Sequence, residues 1–261
     1  MAIQKAEAIV LHRRRQGETS KIVTLYTREF GRLMLMAKGS RGTRSKYLGT
    51  LETFNHISIV FYRKEERGLQ YLSQASILSP LVRLHGHLGR IALASIPCEI
   101  IDKSEIGDQP HPQQFQLLLD TLTALDANDG GLRNIVRAFL LQFAVLAGFQ
   151  PQLDACRFCG RLEADSVNYF LLRDGSYSCA ACGLHGEEGR RLNSFELDLL
   201  RWLARIPVAD AAQAQTDKQS GEVLDMLLVD YLTEHIEALA GLKSFKHLQI
   251  LQSHLKRTVS D

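Results

Sequence analysis

The amino-acid sequence predicts an α+β protein of several domains, in which a five-stranded β-barrel precedes an α-helical domain with an inserted metal-binding hairpin. Three observations support this prediction. Short runs of β-branched and aromatic residues fill positions 1–80, helical periodicity begins at Leu81, and two Cys-x-x-Cys pairs stand at 156–159 and 179–182. The predicted domains are the barrel at 1–80, the helical domain at 81–155 and 186–261, and the hairpin at 156–185.

Five segments of the first 80 residues have the composition of β-strands, and glycines punctuate the connections between them. Five short strands within about 80 residues fit a small closed barrel of the oligonucleotide-binding (OB) type. An SH3-like barrel or an open meander is the alternative topology. The predicted strands are Glu7–Leu11, Lys21–Tyr26, Arg32–Ala37, His56–Tyr62 and Leu69–Leu72.

The charge of the chain is unevenly distributed. Residues 1–80 hold fourteen lysines and arginines against six glutamates and no aspartate, a net charge of +8. The chain as a whole has a net charge of only +2, so the remaining residues carry −6. A basic segment of this kind indicates a polyanionic partner.

Two clusters of cations within the basic segment are candidates for nucleic-acid contacts. The segment 38–46 combines four cations with small, flexible residues and contains no acidic residue, which is typical of a loop that closes over a phosphate backbone. Tyr47 follows this segment and is predicted to be exposed and to stack on bases, whereas Phe54 and Phe61 are expected to fill the barrel. The candidate DNA-binding residues are Arg13, Arg14, Arg15, Arg32, Lys38, Arg41, Arg44, Lys46 and Tyr47.

Helical periodicity dominates from Leu81 onward, apart from the hairpin. Pro97 is expected to kink or divide the first helix, Pro112 to begin the second, and Asn193 to cap the fourth together with Glu196. The third helix is apolar nearly all round and should lie at the centre of the helical domain. The predicted helices are 81–103, a second that begins at 112 and carries an apolar stripe up to Leu122, 132–147, 195–206, 222–239 and 245–255.

The four cysteines of the two pairs have the spacing of a tetrahedral metal site: Cys156, Cys159, Cys179 and Cys182. A redox motif, an iron–sulfur cluster and a pair of disulfides fit the spacing or its context less well. The sequence therefore predicts one zinc ion in a four-cysteine zinc ribbon. Four thiolates close the coordination sphere, so the predicted role of the zinc is structural. Cys98 lies in an apolar helical stretch and is read as a small buried hydrophobic residue.

Several functional classes are disfavoured by the sequence. It contains no phosphate-binding loop, dinucleotide fingerprint, nucleophile elbow or His-Glu-x-x-His motif, so an enzyme is the weaker prediction. No run of about 18 apolar residues and no signal-peptide core is visible, which favours a cytoplasmic location and disfavours a membrane protein.

Three stretches of the basic segment together resemble a known family: Lys21-Ile-Val-Thr-Leu-Tyr-Thr-Arg-Glu-Phe-Gly31, Ala37-Lys-Gly-Ser-Arg41 and Gly49-Thr-Leu-Glu-Thr-Phe54. They are similar to the RecO family of bacterial recombination mediator proteins, in its zinc-bearing form. The order of barrel, helical body, cysteine knuckles and terminal amphipathic helix also resembles that of the family over the full length.

The resemblance implies a non-enzymatic DNA repair protein of the bacterial cytoplasm, associated with the nucleoid. It implies binding of single- and double-stranded DNA, annealing of complementary strands, and action with RecR to help RecA replace single-strand-binding protein (SSB). The SSB C-terminal tail would dock on the helical body, where Arg133 and Arg137 are the candidate cations. The alternatives are a zinc-ribbon RNA-binding or transcription-associated protein and, more distantly, a metal-dependent nuclease.

Overall fold

The computed structural model describes residues 2–42, 44–64, 68–104, 109–163 and 165–244. The chain divides into two compact units, one made of residues 1–126 and 244–261 and the other of residues 127–243. The domain boundaries expected from the sequence, at 80, 155 and 185, stay a prediction.

Five strands form a closed barrel in the first unit, in the order β1-β2-β3-β5-β4. All neighbouring strands are antiparallel except β3 and β5, which are parallel. The predicted OB-type barrel is confirmed, and the closed order excludes an open meander. The strands are β1 Ala2–Gln16, β2 Ser20–Thr27, β3 Gly31–Ala37, β4 His56–Arg63 and β5 Leu69–Ser79.

Apolar side chains at alternate positions along the strands fill the interior of the barrel. In β3, Leu33, Leu35 and Ala37 are buried in the barrel core, whereas the residues between them are only half-buried. Because side chains of a strand point to opposite faces in turn, the apolar residues at every second position line the interior. Phe61 belongs to this core and Phe54 is buried as well, as predicted.

Three helices complete the first unit: α1 Val82–Gly86, α2 Leu88–Ser104 and α3 Pro112–Ala127. Pro112 begins α3, as predicted. Pro97 lies inside α2 and does not divide it; the first predicted helix is instead interrupted at His87, which is extended. Gly86 and Gly89 flank this interruption, and glycine is unfavourable inside a helix.

The turn between β2 and β3 shows why glycine stands at position 31. Gly31 has a φ of +63°, and a Cβ atom there would lie 2.2 Å from the backbone oxygen of Gln109. Both the left-handed conformation and the close approach therefore require glycine.

Tyr26 of β2 hydrogen-bonds Gln114 of α3, with 3.2 Å between the two oxygens.

The second unit is built around the helix α4, Leu132–Leu146. It packs against α5, Ser194–Leu203, against α6, Lys218–His235, and against the short 3-10 helix Val208–Gln213. This confirms the central helix predicted at 132–147. Asn193 and Glu196 form the predicted capping box at the start of α5. The elements are α4 Leu132–Leu146, β6 Asn168–Leu171, β7 Ser176–Cys179, β8 Gly189–Leu192, α5 Ser194–Leu203, the 3-10 helix Val208–Gln213, α6 Lys218–His235 and the 3-10 helix Glu237–Leu239.

The ribbon sheet has three strands in the order β7-β6-β8, so it extends past the predicted end of the hairpin at 185. The predicted helix 245–255 lies outside the described residues. Within the described parts of the chain, none of the helices is long and apolar enough to cross a membrane.

Candidate metal centre and nucleic-acid interface

The four cysteine sulfurs of the ribbon converge. The Sγ atoms of Cys156, Cys159, Cys179 and Cys182 all lie within 4.8 Å of one another. The Sγ atoms of Cys159 and Cys179 are 3.7 Å apart, which is too far for a disulfide bond. Four sulfurs at the usual zinc–sulfur distance of about 2.3 Å from a tetrahedral centre would be separated by about 3.8 Å. The arrangement therefore fits a tetrahedral metal site.

The backbone around the first knuckle favours a thiolate. Burial raises the pKa of the Cys156 thiol, but hydrogen bonds from the backbone N–H groups of Cys179, Cys159 and Phe158 outweigh burial and lower that pKa to about 6. A thiolate is the form of cysteine that binds a metal. Gly160 and Gly183, which follow the two knuckles, have positive φ angles of 72° and 65°.

His185 lies near the cysteines but is not a member of the cysteine group. Its ring packs on Phe158, with 4.2 Å between the ring centroids. Four thiolates would by themselves complete a tetrahedral sphere around a bound metal and would leave no open position for a substrate.

The structure brings the two predicted cation clusters together at one end of the barrel. The backbone N–H of Arg41 donates a hydrogen bond to the carbonyl of Thr19, at 3.1 Å. The Arg41 guanidinium donates to the carbonyl of Gly17, at 2.7 Å. Gly17 and Thr19 form the turn between β1 and β2, so the loop at 38–46 contacts the hairpin that carries Arg13–Arg15.

The same loop contacts β5 through its two lysines. The Lys46 ammonium donates to the carbonyl of Ser73, at 2.7 Å. The Lys38 ammonium lies 4.8 Å from the ring centroid of Tyr71. We call the surface formed by this loop and the β1–β2 hairpin, residues 12–21, 38–42 and 44–46, the cationic end of the barrel.

Two of the predicted cations are neutralised by acidic side chains that the sequence did not identify. Arg13 forms an ion pair with Glu52. Arg32 donates to Asp102 of α2 at 2.7 Å, and His12 lies 3.3 Å from the other oxygen of that carboxylate. Burial raises the pKa of Asp102, but the hydrogen bonds from His12 and Arg32 outweigh it and hold that pKa below its usual value.

Other cations of the cationic end are exposed. Arg14, Arg15 and Arg44 lie at the surface and form no ion pair with any residue that the structure describes. Exposed cations of this kind can contact phosphate without first breaking an ion pair within the protein.

Tyr47 is not an exposed stacking residue, and that prediction is wrong. Its side chain is 4% exposed and belongs to the barrel core. Its hydroxyl donates toward the carbonyls of Leu72 and Ser73, each at 3.0 Å. Tyr47 therefore holds the loop on β5, and the exposed tyrosine on this barrel is Tyr62.

Arg137, predicted as a candidate cation for docking of the SSB tail, is buried, and its burial contradicts that role. Its side chain is 3% exposed and donates to Asp225 of α6 at 2.7 Å and to the carbonyl of Gly221 at 2.9 Å. Arg133 pairs with the second oxygen of Asp225. A buried arginine must be paired, so these residues join α4 to α6 instead of facing a ligand.

Comparison with known proteins covers both units. The family model described as "Recombination protein O N terminal" matches residues 1–81, and "Recombination protein O C terminal" matches residues 85–244. The chain belongs to the RecO family. This places it among DNA repair and recombination proteins, in agreement with the resemblance found in the sequence.

Named members of the RecO family match the chain over nearly its whole length. The protein named "DNA repair protein RecO" of Chlorobium luteolum is 32% identical over 260 residues, which cover 93% of this chain and 96% of that protein. That of Pelotomaculum thermopropionicum is 32% identical over 248 residues, covering 95% and 94%. That of a Nocardioides species is 30% identical over 250 residues, covering 95% and 99%.

Proposed function

We propose that the protein is a non-enzymatic recombination mediator that binds single- and double-stranded DNA through the cationic end of the barrel. The observation that carries this proposal is the contact of Arg41 with the β1–β2 turn, which gathers two separate basic segments at one surface. Membership of the RecO family favours DNA repair over the RNA-binding or transcription-associated alternative.

Electrostatics supports a binding mode without sequence preference. The first 80 residues carry a net charge of +8, and Arg14, Arg15 and Arg44 lie exposed on the end of β1 and on the loop. Contacts between lysine or arginine and phosphate release counterions and do not read the bases. The protein is therefore expected to bind DNA of any sequence, more weakly as salt rises.

Reversal of charge in the loop tests the location of this interface. The double variant Arg41→Glu/Arg44→Glu should weaken DNA binding at least about tenfold, because each substitution replaces a cation by an anion near the phosphates. Binding of a labelled single strand, followed by fluorescence anisotropy, measures the change. The matched control is Arg173→Glu in the ribbon, an exposed arginine that should leave the affinity unchanged. Undiminished binding by the double variant would place the interface elsewhere.

The mediator activity adds protein partners to DNA binding. We propose that the protein anneals complementary strands, including strands coated with SSB, and with RecR promotes the loading of RecA during gap repair. Neutralised phosphates allow two strands to approach while their bases remain available for pairing. These reactions need no catalytic group, which agrees with the expectation that the protein is not an enzyme. We also propose that the protein acts in the bacterial cytoplasm, in association with the nucleoid.

Annealing of SSB-coated strands tests the partner part of the proposal. The protein should accelerate annealing of complementary strands coated with full-length SSB, and much less with SSB that lacks its last residues. A quenched-fluorophore assay measures the rate, with uncoated strands as the control. Equal rates on both forms of SSB would contradict docking on the tail. Because Arg137 is buried and Arg133 is paired, the docking site has to use other residues.

The cysteine centre is proposed to hold one structural zinc ion. The convergence of four sulfurs in tetrahedral spacing supports this assignment, and zinc is the usual metal of such four-cysteine sites. The metal would join the two knuckles and so fix the fold of the ribbon. Cys98 is not part of it: the thiol is buried in α2, and burial raises its pKa well above the ordinary value.

A further inference from the structure

Four side chains form a row across the outer surface of four adjacent barrel strands. Ile3 of β1 lies opposite Tyr62 of β4, and Tyr62 lies opposite Tyr71 of β5. Tyr71 in turn lies opposite Met36 of β3. Residues directly opposite on neighbouring antiparallel strands have Cβ atoms about 4.5–5.5 Å apart, so Ile3, Tyr62 and Tyr71 adjoin one another.

The row faces outward because its neighbours along each strand face inward. Phe61, Leu72 and Leu35 all belong to the barrel core. Adjacent residues of a strand point to opposite faces, so Tyr62, Tyr71 and Met36 face outward. Ile3 is 67% exposed and Tyr62 37% exposed, while Tyr71 is half-buried. Two aromatic rings are therefore held side by side on a rigid sheet with part of their surface in water.

Cations lie beside the two rings. The Lys38 ammonium lies over the Tyr71 ring, 4.8 Å from its centroid, and Lys38 begins the cationic loop. Lys5 is exposed and lies two residues beyond Ile3 on the same face of β1. No member of the row is acidic. Of the described residues, Lys38 and Lys5 thus place positive charge beside the rings, and positive charge attracts a polyanion.

We propose that Tyr62 and Tyr71 form a stacking platform for unpaired bases of single-stranded nucleic acid, with Lys38 and Lys5 beside its phosphates. This inference rests on the proposed binding of DNA by the barrel and adds a base-contacting subsite to it. Aromatic rings flanked by cations bind single strands by stacking, whatever the base. A duplex offers no free base face at this surface, so the platform selects single strands.

Two oligonucleotides that differ only in their bases test the platform. One is an oligothymidylate of about ten nucleotides, within the range that one OB fold covers, and the other is an abasic chain of equal length. The wild-type protein should bind the oligothymidylate more tightly. Tyr62→Ala/Tyr71→Ala should lose about 5- to 150-fold in affinity for the oligothymidylate, equivalent to about 1–3 kcal/mol. Its affinity for the abasic chain should not change.

The conservative variant separates stacking from other roles of the tyrosines. Tyr62→Phe/Tyr71→Phe keeps both rings and should bind both oligonucleotides like the wild-type protein. Equal binding of the two oligonucleotides by the wild type would overturn the platform, and so would an undiminished preference for the oligothymidylate in the alanine variant. Failure of the wild type to bind either oligonucleotide would overturn the proposed DNA binding itself, and the platform with it.

Discussion

Asp225 pairs with two arginines of α4, which differ in how deeply they are buried. Arg137 donates to one carboxylate oxygen at 2.7 Å and Arg133 contacts the other. Removal of the partner of a buried charge lowers the free energy of unfolding strongly, whereas removal of a partly exposed charge lowers it little. The ion pair and hydrogen bonds of Arg137 therefore stabilise the second unit.

Substitution of Asp225 should destabilise the second unit strongly. Asp225→Ala leaves the Arg137 guanidinium buried without its counter-ion, and removal of one partner from such a pair costs about 3–5 kcal/mol. Arg133→Ala should cost less, because the Arg133 side chain is 33% exposed and Arg137 keeps its bond to Asp225. Chemical denaturation of both variants measures the difference. An Asp225 variant as stable as the wild-type protein would contradict this account.

The residue scale is also where the sequence was least informative. Arg137 and Asp225 are 88 positions apart, so no local pattern reveals that they pair. Tyr47 stands beside four cations in the sequence, yet its hydroxyl bonds to a strand 25 residues later and its ring enters the barrel. Tyr62 and Tyr71 acquire their common face only through the register of β4 and β5. Exposure and pairing depend on such distant contacts.

At the scale of elements, local patterns predicted most of the described strands and helices. The β-branched and aromatic composition of five segments predicted the barrel strands, and the alternation of inward-facing residues such as Ile57 and Ile59 supported the fourth. The capping box at Asn193 and Glu196 predicted the start of α5 to within one residue. The two Cys-x-x-Cys pairs predicted a cluster, because their spacing leaves room for one hairpin between them. The third ribbon strand, Gly189–Leu192, has no such signal.

The ribbon depends on its metal according to this account. Cys156→Ser removes one of four thiolates and should lower both the zinc content and the midpoint of thermal unfolding, because metal binding contributes folding free energy to such small units. Elemental analysis should find one zinc per chain in the wild-type protein and in the control Cys98→Ala, whose thiol lies outside the cluster. A wild-type protein without zinc, or a silent Cys156 substitution, would contradict the proposed metal centre.

At the scale of the whole molecule, the cationic surface and the cysteine centre belong to different units. The cationic end lies in the first unit, residues 1–126 with 244–261, and the cysteine centre lies in the second, residues 127–243. The charge asymmetry of the sequence, +8 in the first 80 residues against +2 overall, already indicated this separation. Nucleic-acid binding and metal content should therefore respond to different substitutions.

The salt dependence of DNA binding tests the central claim most directly. For single-stranded DNA, the logarithm of the affinity should fall linearly with the logarithm of salt concentration, with a slope of about −0.7 for each phosphate neutralised. We predict a steep slope for the wild-type protein and a shallower one for Arg41→Glu/Arg44→Glu, since that variant contacts fewer phosphates. A wild-type affinity that does not depend on salt, or an identical slope in the double variant, would contradict binding by the cationic end of the barrel.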